Sequence, residues 1–202
     1  KSVLIKCIIG LIKPDEGTLK VFGKEVSAMS PKELNDMRTK VGFLFQGNAL
    51  YDSMSVRENL EFPLRRNKSI HDPHIIEGLI VEVLESVGLL ETIDKMPSEL
   101  SGGMQKRIAL ARTLILKPEI ILYDEPTTGL DPLTSREISN LILDIQTKYK
   151  TSGIVISHDL NCAKITSTRM LILQDGVFIA KGTFDELRDS KDEWIRSYFK
   201  ME

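Results

Sequence analysis

The sequence predicts an α/β protein with a largely parallel, doubly wound sheet and an inserted helical segment. Strand and helix patterns alternate in the second half of the chain, which is typical of parallel sheets. Strand signals stop between Gln46 and about Leu100. Three short apolar strands are each followed directly by polar residues, at Gln46, Asp124 and His158.

The first 40 residues contain two helix patterns and one strand pattern. Residues 3–11 are apolar on nearly every face, which predicts a buried helix. Residues 18–22 have the pattern of a short strand. Ser30 and Glu33 form a capping box with Pro31 between them, so a second helix is expected to begin there.

The middle of the chain is expected to be a helical insert. Residues 41–45 form an apolar strand ending at Gln46, and helical patterns then cover residues 55–66 and 75–87, the first with a capping box at Ser55. The expected division is therefore a core of residues 1–47 and 104–202 and a helical subdomain of residues 48–103.

After Leu100 the elements alternate, and turn signals separate them. Asp131 before Pro132 predicts a helix start, and the Asp175-Gly176 pair predicts a tight hairpin. The expected elements are a helix over 103–116, a strand over 119–123, a helix over 131–148, a buried strand over 153–157, hairpin strands over 169–173 and 177–180, and a helix after Thr183.

Composition excludes several classes of function. The 202 residues are 42% hydrophobic and 28% charged with a net charge of −2, so there is no basic excess for broad nucleic-acid binding. No apolar run approaches the about 18 residues that span a bilayer. Any work at a membrane is therefore expected to require a partner protein.

The polar groups that follow the strands predict one shared site. In open α/β sheets, ligands bind at the carboxyl ends of the strands. Gln46, the pair Asp124 and Glu125, and His158 would all lie along that edge. For the acidic pair alone, a helix-capping turn is an alternative of about equal weight.

Small and charged residues elsewhere suggest phosphate binding. The glycines of Ser101-Gly102-Gly103 allow backbone N–H groups at a helix start to approach an anion, and Ser101 also fits an ordinary N-cap. Lys1-Ser2 matches the end of a phosphate-binding loop, with a solvated terminus as the alternative. Asp131 has the position of an N-cap.

In this order, the motifs resemble the nucleotide-binding domain of an ATP-binding-cassette (ABC) ATPase. The matches are Lys1-Ser2 (end of Walker A), Gln46 (Q-loop), Ser101 to Gln105 (signature), Asp124-Glu125 (Walker B and catalytic glutamate), Asp131 (D-loop) and His158 (switch histidine). The resemblance implies a P-loop NTPase (RecA-like) core. Because the sequence begins inside the motif that matches the phosphate loop, the resemblance also implies that antiparallel strands and the first core strand lie upstream. This chain is therefore expected to be a fragment that binds ATP poorly alone.

The resemblance assigns roles to these residues. It implies ATP and Mg²⁺ as ligands, two copies facing head to tail, Glu125, His158 and Gln46 in catalysis, and Ser2, Gln46 and Asp124 at the metal. The residues expected to bind nucleotide are Lys1, Ser2, Gln46, Ser101, Gly102, Gly103, Gln105, Asp131 and His158. For Asp131, capping and communication across the dimer have equal weight.

Residues 46–60 are similar to the ATPases of Mla-type phospholipid transporters, which work with MCE-domain proteins. This similarity implies an integral-membrane permease and an MCE-type lipid-binding protein as partners, no nucleic acid, and a cytoplasmic location on the inner face of the membrane. The alternatives are a cassette for amino acids, metals or lipoproteins, a soluble non-transport ABC protein, and a degenerate cassette that serves only as an interaction module.

Overall fold

The computed structural model describes residues 1–66 and 70–199. Residues 67–69 of the expected helical subdomain and 200–202 of the expected core lie outside the described residues. The α-helices are α1 (Ser2–Ile8), α2 (Pro31–Lys40), α3 (Val56–Arg66), α4 (Pro73–Ser86), α5 (Gly102–Leu114), α6 (Pro132–Tyr149), α7 (Leu160–Thr166), α8 (Phe184–Arg188) and α9 (Glu193–Tyr198). The strands are β1 (Lys20–Val21), β2 (Lys24–Glu25), β3 (Val41–Leu44), β4 (Ile120–Asp124), β5 (Ser152–Ile156), β6 (Met170–Gln174) and β7 (Val177–Gly182).

A three-stranded parallel sheet in the order β3-β4-β5 lies at the centre of the fold. The predicted parallel pairing is therefore confirmed. β1 with β2 and β6 with β7 form separate antiparallel pairs, and the second contains the predicted hairpin at Asp175-Gly176.

Both faces of the central strand are buried, as parallel sheets require. Because side chains alternate along a strand, Ile121 and Tyr123 join one apolar cluster with residues of α3, α4, α5 and α6. Leu122 joins the other, with Ile5 of α1 and Met37 of α2. The sheet thus lies between two layers of helices.

The helix starts follow the predicted caps. The Ser30 hydroxyl accepts a hydrogen bond from the Glu33 amide, and the Glu33 carboxylate accepts one from the Ser30 amide. Ser55 with Glu58 and Thr183 with Glu186 form the same reciprocal pair. These caps are local interactions, which is why sequence pattern locates them.

Two expectations about burial are wrong. The helix predicted over residues 3–11 ends at Ile8, and Val3 is 60% exposed while Ile5 is buried. The strand predicted as buried over residues 153–157 begins at Ser152, and its Ile154 is 41% exposed. The reason for the second is that β5 pairs only with β4 among the described strands, so Ile154 has neighbouring side chains of the sheet on one side only, whereas its partner Leu122 on the central strand is buried.

Candidate nucleotide site

The carboxyl ends of the three parallel strands lie side by side. β4 ends at Asp124, β3 ends two residues before Gln46, and β5 ends two residues before His158. The register pairs Asp124 with Ile156 and Tyr123 with Leu44. The polar groups predicted from the sequence therefore follow one edge of the sheet.

Glu125 and His158 are in direct contact at this edge. Nδ1 of His158 lies 2.8 Å from Oε2 of Glu125. A carboxylate can only accept, so the Nδ1 position carries the proton. The Glu125 carboxylate also accepts from the His158 amide at 3.3 Å and from the Thr128 hydroxyl at 3.4 Å. The side chain of Glu125 is 15% exposed and that of His158 is 65% exposed, so a mostly buried carboxylate contacts a largely exposed imidazole.

The backbone at Glu125 turns sharply to direct this carboxylate. Its φ is +51°, in the left-handed region that a non-glycine residue rarely adopts. Its amide donates to the Ile156 carbonyl at 2.9 Å, which continues the sheet pairing for one more residue. Such strained positions persist where the surroundings fix them, and they cluster at functional sites.

Ser2 and Asp124 form a second pair. The Ser2 hydroxyl donates to Oδ1 of Asp124 at 2.9 Å, and the Asp124 side chain is largely buried at the end of β4. A hydroxyl and a carboxylate are oxygen donors of the kind that Mg²⁺ prefers. The donor set therefore fits the expected metal.

The small residues of the signature differ in what surrounds them. Ser101 is the N-cap of α5, and its hydroxyl accepts from the Met104 amide at 3.3 Å. A Cβ added to Gly103 would lie 2.7 Å from Cγ2 of Thr134, so the start of α6 requires a glycine there. A Cβ added to Gly102 would meet only Leu130 at 3.9 Å, so packing within the chain does not require that glycine.

Gln105 is occupied by contacts inside the chain. Its Nε2 donates to the carbonyl oxygens of Pro97 at 3.0 Å and Leu100 at 3.3 Å. Its Oε1 accepts from Nδ2 of Asn48 at 3.3 Å. The side chain predicted to bind nucleotide thus also joins two loops.

Asp131 is the N-cap of α6, as its sequence position predicts. Its carboxylate accepts from the amides of Leu133 and Thr134, both at 3.0 Å, and from the Thr134 hydroxyl at 2.5 Å. The Thr134 hydroxyl bond, followed by its amide bond, holds the pKa of Asp131 below its ordinary value. The capping role is therefore visible in the geometry.

The side chains of Lys1 and Gln46 are not bonded to the other site groups, although Lys1 precedes Ser2 in the chain and Gln46 follows β3 at the same sheet edge. Within residues 1–66 and 70–199, neither side chain forms a hydrogen bond or an ion pair. The Gln46 carbonyl, however, accepts from Nζ of Lys106 at 2.5 Å. Nor does any hydrogen bond in that part of the chain join Ser101 to the pairs at Asp124 and Glu125.

Sequence reasoning noted Asp159 only as the neighbour of His158, and it missed Thr127 and Lys106, which also support the site. The Thr127 hydroxyl donates to Asp159 at 3.2 Å, and Asp159 caps α7, which directly follows His158. Lys106 is buried and holds the Gln46 carbonyl. The capping position of Asp159 is readable from sequence, but a buried lysine inside a helix has no sequence signal.

The chain belongs to the ABC transporter family, and the sequence profile of that family matches residues 1–128. It is 37% identical over 198 residues to the probable ribonucleotide transport ATP-binding protein mkl of Mycobacterium leprae, covering 98% of this chain and 57% of that protein. It is 36% identical over 202 residues to the intermembrane phospholipid transport system ATP-binding protein MlaF of Haemophilus influenzae, covering 100% and 76%. The chain thus spans little more than half the length of the mkl relatives.

Solved structures have the same fold. The ATP-binding cassette MJ0796, dimeric in a post-hydrolysis state with ADP and Pi, superposes with a TM-score of 0.80 at 30% identity over 91% of this chain and 80% of that chain. CbiO1 from Clostridium perfringens, part of the ABC transporter complex cbiONQ, gives 0.85 at 27% identity over 99% and 78%. The predicted α/β cassette fold is confirmed. Among the described residues, no helix has the length and hydropathy needed to cross a membrane.

Proposed function

We propose that this protein is the ATP-hydrolysing subunit of an ABC transporter. The observation that carries the proposal is the contact of 2.8 Å between Glu125 and His158, which lies beside the Ser2–Asp124 pair at one sheet edge. A carboxylate that can accept a proton, next to oxygen ligands for a metal, is what hydrolysis of a nucleotide phosphate requires.

The first half of the proposed site lies within one copy of the chain. Ser2, Asp124 and the side chain of Gln46 would hold Mg²⁺, and Lys1 would contact the phosphates. Bound Mg²⁺ neutralises charge on the phosphate oxygens. The support is the donor chemistry of Ser2 and Asp124, whose oxygens already lie within 2.9 Å of each other.

Glu125 would orient and polarise the attacking water, and His158 would contact the γ-phosphate. Because Nδ1 of His158 donates to Glu125, the imidazole fixes the direction of the carboxylate. The Nε2 edge of the exposed ring is open to the substrate, and because phosphate oxygens only accept, the contact would require a proton on Nε2 as well as on Nδ1. The low exposure of the carboxylate limits competition from bulk water.

The second half would come from another copy in a head-to-tail homodimer. There Ser101, Gly102 and Gly103 would present the N-terminus of α5 to the γ-phosphate, with Gln105 and Asp131 nearby. The open space at Gly102 supports this arrangement, because an anion can approach the backbone there. The dimeric form of the similar MJ0796 cassette supports it further.

We propose phospholipid as the transported substrate, since MlaF relatives are named for it and are covered over 73–76% of their length. In this reading a permease with an MCE-type partner binds the cassette at the cytoplasmic face of the membrane, and residues 48–103 move against a core of 1–47 and 104–202. The name of mkl makes ribonucleotide transport the second candidate.

The test is ATP hydrolysis by the protein expressed from its full coding sequence, alone and with its permease. We expect wild type to hydrolyse ATP, and Glu125→Gln to bind ATP with turnover lowered by at least about 100-fold. Phospholipid transfer between vesicles in the reconstituted complex, against ribonucleotide uptake, separates the two substrates. If wild type binds the permease but does not hydrolyse ATP, the result would support the alternative of a degenerate cassette that serves only as an interaction module.

A further inference from the structure

The loop of residues 46–49 is attached to the helix that carries the signature. Nζ of Lys106 donates to the Gln46 carbonyl at 2.5 Å. Nη1 of Arg112 donates to the Ala49 carbonyl, also at 2.5 Å, and the Arg112 guanidinium lies 4.6 Å from the centre of the Tyr51 ring. α5 therefore contacts both ends of this loop, through two side chains that are six residues apart on the helix.

The loop needs such attachment because its backbone is unfavourable. Asn48 and Ala49 have φ values of +44° and +55°, and neither is glycine. Two consecutive left-handed residues are maintained only where surrounding contacts stabilise them. The bonds to the carbonyl groups of Gln46 and Ala49 flank this strained pair.

Lys106 is an unusual residue for a buried position. It is 4% exposed, and none of the described carboxylates forms an ion pair with it. Burial lowers the pKa of its ammonium group. A methionine would fill nearly the same volume without this penalty, so packing alone does not account for a lysine here.

We propose that Lys106, together with Arg112, is a positioning residue that holds the Gln46 loop to α5. This inference rests on the proposed function, in which the Gln46 side chain is part of the site. α5 is one continuous helix from Gly102 to Leu114, so it crosses the proposed boundary at residue 103 and links the signature at its start to the Gln46 loop through Lys106. The two halves of the nucleotide site are thereby coupled within each chain.

The test compares Lys106→Met with Lys106→Arg, using the protein expressed from its full coding sequence. The control is Arg107→Met, which removes a cation from the same helix whose partner is the exposed carboxylate of Glu137 at 2.6 Å. The measurements are amide hydrogen exchange of residues 46–49, and kcat and KM for ATP.

We expect Lys106→Met to speed amide exchange in residues 46–49 about tenfold and to lower kcat about tenfold, with little change in KM. These are the changes expected when a hydrogen bond from a charged group is lost. Lys106→Arg should restore most of both, and Arg107→Met should resemble wild type. Unchanged exchange in Lys106→Met, or an unchanged kcat, would overturn the proposal.

The test also covers two other outcomes, a destabilised Lys106→Met and an inactive wild type. If Lys106→Met lowers the melting temperature by more than about 5 °C, Arg112→Met replaces it, with the same results expected from a partly exposed position. If wild type does not hydrolyse ATP, the proposed function fails. Exchange alone then decides whether Lys106 holds the loop.

Discussion

The Ser2 hydroxyl lies 2.9 Å from Oδ1 of Asp124, and 122 residues of sequence separate the two. The contact joins the first residue of α1 to the last residue of β4. Ile5 of α1 and Leu122 of β4 pack in one apolar cluster, which holds the helix against the strand. Apolar packing thus sets the spacing of two oxygen donors.

Replacing Ser2 tests the proposed metal ligands. We expect Ser2→Ala to weaken ATP binding about tenfold in Mg²⁺, a loss typical of groups that bind or orient at a metal. The affinity measured in EDTA should be nearly unchanged. Ser27→Ala, which removes an exposed hydroxyl bonded to Glu25, is the control. An equal loss with and without Mg²⁺ would contradict a metal role for Ser2.

Alanine at Gly102 should separate activity from stability. Packing leaves room for a Cβ at Gly102, and alanine favours a helix over glycine by up to about 1 kcal/mol. The melting temperature of Gly102→Ala should therefore stay the same or rise. ATP turnover should fall about 100-fold because backbone donors lose access to the phosphate. Full turnover in this variant would exclude an anion role for Gly102.

Gly103 should behave differently because Thr134 lies against it. We expect Gly103→Ala to destabilise the protein by about 1–3 kcal/mol through overpacking. Adding Thr134→Ser removes the clashing methyl group while keeping the hydroxyl that binds Asp131. Denaturant unfolding should show most of the stability restored in the double variant. No recovery would mean that the contact with Thr134 is not what requires glycine.

His158→Ala should lower kcat without destabilising the fold. The side chain is 65% exposed, so its loss removes little packing. Because Glu125 loses its orienting donor, we expect kcat to fall about 100-fold. The matched control is His74→Ala. His74 is also exposed, and its bond to the N-cap Asp72 comes from its backbone amide, which alanine keeps. A large drop in melting temperature for His158→Ala would indicate a structural role instead.

Asn59 should be important for stability. Its buried side chain accepts from the Tyr51 amide at 2.8 Å and donates to the carbonyl oxygens of Tyr51, Met54 and Ser55. Asn59→Leu removes all of these bonds and leaves the Tyr51 amide without its partner, while the carbonyls of Tyr51 and Ser55 keep bonds from the amides of Met54 and residue 59. We expect a loss of about 3 kcal/mol in urea unfolding. Asn140→Leu, on the exposed face of α6, should change stability by no more than about 0.5 kcal/mol. Similar values for the two would refute this role.

The cap of α2 predicts a pH dependence of stability. Bonds from Lys24 first, and then from the Ser30 amide and hydroxyl, lower the pKa of Glu33 from 4.5 to about 2. A lowered carboxyl pKa stabilises the fold above the unfolded value, and this contribution is lost as pH falls through the folded value. The stability difference between wild type and Glu33→Gln should therefore shrink between about pH 4.5 and about pH 2. A constant difference over that range would contradict the assignment.

Local sequence rules located most elements and the polar groups at the strand ends. Capping boxes at Ser30, Ser55 and Thr183 act over three residues, so the helices begin where the pattern predicts. The parallel sheet follows from the alternation of strands and helices. From that sheet, the common edge for Gln46, Asp124 and His158 follows as well.

Contacts between distant residues depend on how whole elements pack, which no local rule specifies. The bond from Lys106 to Gln46 spans 60 residues, and whether that lysine is buried depends on the position of α5 against the loop. The requirement for glycine at 103 likewise comes from Thr134 on another helix. Cassette class and candidate chemistry were therefore readable from the order of residues along the chain. The pairing of Glu125 with His158 and the exposure of Val3 and Ile154 depended on the packed fold, because burial and long-range hydrogen bonds exist only once the layers of helices and sheet have come together.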